Sequence, residues 1–184
     1  IRFRGIDWIC PSNSDQAPTF DLRLTQWVPL FAEIGGKKFL YHEDKEGNHV
    51  GFYCTSNKHI KLLVDMGGVE WVSHTCEGGQ HMGVCRNDPN IMKILIETGG
   101  PDWVCQADED GKHMGFYCDD LETMKLLVEV GGSDFIWHPD GDGRHMGFWD
   151  DDIPRIYSNR YEVCLPFLIE IGGTAWVNHT DEDG

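Results

Sequence analysis

A Gly-x-His-x-Gly phrase recurs along this chain, and its spacing constrains the fold more than any other feature. It is written EGNHVGFYC, GGQHMGVC, DGKHMGFYC and DGRHMGFW. The first glycine stands at Gly47, Gly79, Gly111 and Gly143 and the histidine at His49, His81, His113 and His145, so every step is 32 residues. Paired glycines close apolar runs on the same beat, at Gly35-Gly36, Gly67-Gly68, Gly99-Gly100 and Gly131-Gly132, and again at Gly172-Gly173 after a step of 41. A fixed period of about 20 to 50 residues marks a solenoid or array, in which each unit buries its apolar face only against its neighbours. An active site is assembled once, so four copies of one phrase point to architecture before chemistry.

The expected organisation is a single repeat array over residues 1–184, partial at both ends, with units ending near residues 36, 68, 100, 132 and 173. The chain opens without Met and stops at Asp181-Glu182-Asp183-Gly184, halfway through a repeat, which reads as an excerpt from a longer array.

One unit, Asp102 to Gly132, carries the local signals. Leu121, Met124, Leu127 and Val128 recur at helical spacing, Asp120 can cap the first turn, and Gly131 can take the left-handed conformation that ends a helix. Asp88-Pro89 is the equivalent cap and first-turn proline one repeat earlier. The segment WVCQADEDGKH is polar and rich in Asp and Gly, and should turn back on itself. Its aromatic head recurs as Phe39, Trp71, Trp103, Phe135 and Trp176, expected to pack between units together with Leu63, Leu95 and Leu127. HMGFYC has the length of a short helix or of a short strand, and its internal glycine weakens both.

These residues resemble the ankyrin-repeat family. VNHTDEDG is similar to the family's hairpin, V-N-A-x-D-x-x-G, and LETMKLLVEVGG to its second helix, L-E-V-V-K-L-L-L-x-x-G-A. The resemblance runs from Phe39 to Gly184 and reaches the earlier segment through TQWVPLFAEIGG. It departs where the family has T-P-L-H-x-A-A and this chain has His113-Met114-Gly115-Phe116-Tyr117-Cys118; the first helix is about three residues short, and two extra residues follow the paired glycines. The resemblance implies a mainly α, ankyrin-like solenoid of helix pairs and hairpin turns. The alternative is an α+β solenoid of hairpin-plus-helix units, if HMGFYC pairs as a strand.

Two units break the beat. PSNSDQAPTFDLRL precedes TQWVPLFAEIGG in the first, and DDDIPRIYSNRY makes the 41-residue step in the fourth. Both carry a proline where the regular unit has Lys125, at Pro29 and Pro166, so their helices should kink or begin late. The segments bring residues that the regular units lack, Thr19, Phe20 and Leu22 in one and Ile153, Arg155, Ile156, Tyr157 and Arg160 in the other. Exposed apolar, Arg and Tyr side chains on loops are the types that anchor interfaces, although they can equally cover the flank of a solenoid.

Chemical readings are weaker. Histidines come in near-pairs, His42 with His49, His74 with His81 and His138 with His145, which could begin a metal site, but no consistent third ligand follows. The Gly-x-His-x-Gly histidine takes the place of the family's capping Thr, which implies capping and inter-repeat hydrogen bonding. The acidic tips, such as Asp108-Glu109-Asp110-Gly111, stop short of a calcium loop and read first as turn formers. Neither a Ser-His-Asp order, a phosphate-cradling glycine loop nor an HExxH motif stands in the chain, so no enzyme and no cofactor is expected.

A net charge of -16 argues against nucleic acid and leaves a basic protein or a neighbouring copy as partner. No apolar run approaches the roughly 20 residues that span a bilayer. Seven cysteines without a CxxC pair read as buried thiols in a reducing, cytoplasmic compartment. The expected function is a protein-binding scaffold, with a structural subunit of a filament or large assembly, or a metal module built on the His pairs, as alternatives.

Overall fold

The computed structural model describes residues 26–84, 86, 88–146 and 163–179. The chain divides into two compact units, Ile1–Cys85 and Arg86–Gly184. In the first, helix α1 (Val28–Leu40) packs on α2 (Asn57–Val72), with a 3-10 turn at Val50–Phe52 between them. In the second, α3 (Pro89–Val104) packs on α4 (Leu121–Gly131), with a 3-10 turn at Met114–Phe116 between them. A further 3-10 turn, Ser133–Trp137, follows α4 and meets α5 (Leu165–Val177). Among the described residues no strand forms, and the one isolated bridge joins Thr75 to His81. HVGFYC and HMGFYC of the first and third copies are therefore short helical turns, which removes the hairpin-plus-helix alternative.

Helix starts follow their caps. Asp88 accepts hydrogen bonds from the Asn90 and Ile91 amides at 2.9 and 3.3 Å, and Asp120 from Thr123 at 2.7 Å, satisfying first-turn donors that have no partner inside the helix. Helices α1 and α5 lack such a side-chain cap and carry a proline in the first two positions, where a missing N–H costs nothing. They start 11 residues before their aromatic heads, at Val28 before Phe39 and Leu165 before Trp176, against 14 from Leu121 to Phe135. Pro29 and Pro166 thus make these helices begin late.

The two glycines of each pair answer different demands. At Gly100 the backbone has φ 70° and ψ -166°, a region essentially reserved for glycine, and Gly36, Gly68, Gly132 and Gly173 also have positive φ. The helix direction breaks there and a last helical turn carries the aromatic head inward. Gly131, the expected left-handed residue, keeps helical hydrogen bonding, and the positive φ of 81° falls on Gly132. What the first glycine of a pair provides is room. A Cβ on Gly99 would stand 2.5 Å from the Trp103 Cβ, and one on Gly67 2.4 Å from that of Trp71. Removing both side chains lets the helix turn sharply over its own aromatic ring.

Burial completes the layer. Phe39, Trp71, Trp103, Phe135 and Trp176 are at most 2% exposed, and Leu63, Leu95 and Leu127 are 0% exposed. Fully burying an aliphatic or aromatic side chain of this kind stabilises a fold by about 1.5–3 kcal/mol, which is what holds a repeat to its neighbour.

Candidate functional site

The repeated phrase is built from its turn upward. In the third copy Asp108 opens the turn, and its Oδ1 accepts from the Asp110 and Lys112 amides at 3.0 and 2.9 Å. The backbone closes it, with Asp108 N–H donating to the Lys112 carbonyl and Gly111 N–H to the Asp108 carbonyl. Asp44 and Asp140 repeat this arrangement with Glu46 and Asn48 and with Asp142 and Arg144. Cys76 holds the equivalent place in the second copy, where the backbone bonds are kept, Cys76 N–H to the Gln80 carbonyl at 2.8 Å and Gly79 N–H to the Cys76 carbonyl at 3.1 Å.

Gly47, Gly79, Gly111 and Gly143 have φ between 75° and 78°, so the phrase's first glycine is required by the turn itself. Close approach adds a second reason. A Cβ on Gly111 would lie 2.5 Å from the Gly141 nitrogen of the next turn, because Gly141 N–H donates to the Asp110 carbonyl at 2.7 Å. In the first unit Glu77 N–H makes the same bond to the Glu46 carbonyl at 3.0 Å.

The histidine follows. His49 and His113 stand in extended backbone just before their 3-10 turns and His81 in the isolated bridge, and their Nδ1 atoms accept from Gly51, Gly115 and Gly83 at 3.0, 3.1 and 3.2 Å. An amide N–H can only donate, so Nδ1 is unprotonated and the neutral ring carries its proton on Nε2. His145 shows the other end of that tautomer, with Nε2–H donating to the Trp176 carbonyl at 3.1 Å. The four histidines are at most 4% exposed. Burial pushes the His145 pKa below the usual histidine value, the His179 charge acts in the same direction, and the bond to Trp176 opposes both.

The phrase's last glycine leaves space for this packing. A Cβ on Gly115 would lie 2.6 Å from Cε of Met146 and 2.8 Å from Cε1 of His113, and one on Gly51 2.8 Å from Sδ of Met82. Three of the histidine rings are covered by the next repeat's aromatic head, His49 by Trp71 at 4.6 Å, His113 by Phe135 at 4.4 Å and His145 by Trp176 at 4.5 Å between centroids.

The imidazoles that the structure brings together come from successive repeats. His49 meets His74 at 5.1 Å, His113 meets His138 at 6.1 Å and His145 meets His179 at 5.2 Å. These contacts run across repeat junctions, whereas the pairing expected from the sequence runs across a single turn. The signal was in the spacing, since His49 to His74 and His113 to His138 are each 25 residues, and His145 to His179 is 34 because the fourth step is nine residues longer. Among the described residues no group of three or more His, Cys, Asp or Glu is placed to hold a metal ion.

A second clamp was not anticipated from sequence. Tyr53 donates its hydroxyl proton to Oδ2 of Asp44, and Tyr117 does the same to Asp108. Burial and the Asp44 bond, the latter relieved in part by Asn48, push the Tyr53 pKa up to about 12. The pairs recur 64 residues apart; the intervening copy has Cys76 and Cys85 in the two places, and the fourth keeps the carboxylate at Asp140 but has Trp149 in place of the phenol.

The expected partner-binding residues Phe20, Leu22, Ile153, Arg155, Ile156, Tyr157 and Arg160, with Thr19, lie outside the described residues. No helix among the described residues is long and apolar enough to cross a membrane.

No protein-family model matches the chain. No curated protein matches it either. Among solved structures it is similar to the crystal structure of EF0377, an ankyrin repeat protein, at 17% identity over 88% of this chain and 85% of that one, with a TM-score of 0.57. With its helices, turns and inward aromatic heads, the chain has an ankyrin-like repeat fold, in a form whose first helix is cut to a 3-10 turn capped by histidine.

Proposed function

We propose that the chain is a non-enzymatic protein-binding scaffold, whose regular repeats form the support and whose two irregular segments supply the contacts. One observation carries this reading. The repeated residues point inward: the four histidines and the five aromatic heads are at most 4% exposed, so what recurs is spent on packing. The surface of a regular unit then carries little individual information, and recognition falls to the segments that occur once, with Phe20 and Leu22 in one and Ile153, Arg155, Ile156, Tyr157 and Arg160 in the other. Ankyrin repeats typically serve protein–protein interaction, and a net charge of -16 favours a basic protein over nucleic acid.

The experiment is affinity capture followed by calorimetry of the captured partner. Replacing Ile153, Ile156 and Tyr157 together by Ala should weaken binding at least about 30-fold, the scale of one interface anchor, while the thermal midpoint stays within about 2 °C. Unfolding of the variant, with binding intact in the folded fraction, would show that the segment packs on the array instead.

A neighbouring copy as partner is favoured by one feature. Trp27, Leu30 and Ile34 follow at i, i+3 and i+7 at the start of α1, with 48%, 40% and 46% of their surface exposed. Light scattering over a wide concentration range tests it, because self-association through this face should be lost in Trp27→Glu.

A further inference from the structure

The buried histidines share a constraint beyond closing a turn. Nδ1 of His49, His81 and His113 already accepts a backbone N–H, so a proton added there would point at another proton and the bond would be lost. The rings are buried among apolar neighbours, where a charged imidazole is strongly disfavoured. A second imidazole then faces three of them, His74 over His49, His138 over His113 and His179 over His145. The Glu43 carboxylate lies 3.2 Å from Nε2 of His74, so the acid in this set pairs with the outer ring. Uncharged rings also pack on them: Phe52 and Trp71 at His49, Phe116 and Phe135 at His113, Trp137 and Trp176 at His145.

We propose that these histidines make the repeat stack a pH-sensitive device, which holds neighbouring repeats together at neutral pH and releases them in mild acid. At His49 and His113 one protonation removes both the cap on the 3-10 turn and the neutral ring under the next repeat's aromatic head. The burial that lowers the His145 pKa acts in the same sense. When folding makes an imidazole harder to protonate, the unfolded chain binds more protons below the free value of about 6.5. Stability is therefore complete above that pH and falls as the pH drops beneath it, until the folded-state pKa is reached. Each such histidine raises the unfolding constant by up to about tenfold per pH unit in that window. Ordinary carboxylates, with free values near about 4, take little part at pH 5.5. The device is independent of the partner-binding reading, since a scaffold insensitive to acid would still bind.

The test is denaturant unfolding of the full chain, followed by tryptophan fluorescence at about pH 7.5 and about pH 5.5. A fourfold variant, His49→Asn, His81→Asn, His113→Asn and His145→Asn, keeps a capping acceptor that does not titrate. The unfolding constant of the parent should rise at least about 100-fold on acidification, and that of the variant by no more than about threefold. A parent equally stable at both pH values, or a variant that loses as much as the parent, overturns the proposal. If the fourfold variant does not fold, imidazole NMR of the parent decides: the four rings should remain neutral in the folded protein to about pH 5.5, and titration near about 6.5 with the fold intact overturns it.

Discussion

The indole N–H of Trp71 donates to the Leu40 carbonyl at 3.1 Å, and that of Trp176 donates to the Ile136 carbonyl at 3.0 Å. Leu40 and Ile136 each follow the aromatic head of the preceding repeat, so one repeat's ring closes an orphaned backbone acceptor of the last. Both indole bonds are fully buried. Trp71→Phe should keep much of the apolar area and strand the Leu40 carbonyl, at a cost of about 1–3 kcal/mol in denaturant unfolding. A loss no larger than about 0.3 kcal/mol would mean that water or relaxation satisfies that carbonyl.

The paired glycines separate by chirality. Gly100, at φ 70° and ψ -166°, has a backbone that a D-residue adopts without strain, because its mirror image is ordinary extended backbone. D-alanine placed there by chemical ligation should leave the stability within about 0.5 kcal/mol of the parent, whereas L-alanine costs about 1–3 kcal/mol. At Gly99 alanine should cost about 1–3 kcal/mol through overlap with Trp103, since the obstacle is space and not φ.

The phenol of Tyr53 gives a prediction at alkaline pH. Its pKa is about 12 in the fold, against about 10 for a free tyrosine, with burial the larger cause and the Asp44 bond the next. Below about pH 10 its contribution is whole; between about 10 and 12 the unfolded chain ionises first, and stability falls as pH rises. Ultraviolet difference titration of the parent minus Tyr53→Phe should place this phenol about two units above a free one. Ionisation at about 10 in the folded chain would mean that the Asp44 clamp does not form in solution.

Much of the fold was legible because a repeat multiplies every local signal. The 32-residue beat, the caps at Asp88 and Asp120 and the inward face carrying Leu63, Leu95 and Leu127 were all readable from spacing, and the structure describes mainly helical repeats. Leu127, with 0% of its surface exposed, should cost about 2–5 kcal/mol when cut to Ala. What stayed hidden were questions of direction and of contact between repeats. Gly131 and Gly132 are equal as letters, and only the Phe135 ring above the first shows that the positive φ must fall on the second. HMGFYC has the length of a short helix or of a short strand, and the turn is decided by the His113 cap and by Met146 of the next repeat. The contacts between histidines of successive repeats stayed hidden for the same reason, because they lie across a junction.

The most direct test of the account is His113→Ala, measured for stability, zinc content and partner binding in one preparation. If the Gly-x-His-x-Gly phrase is structural, losing the bond that the Gly115 amide donates to Nδ1 should lower stability by about 1 kcal/mol, while metal per chain and partner affinity in the folded protein stay those of the parent. Unchanged stability together with lost metal or lost binding would contradict it, and would make the repeated histidine a functional group after all.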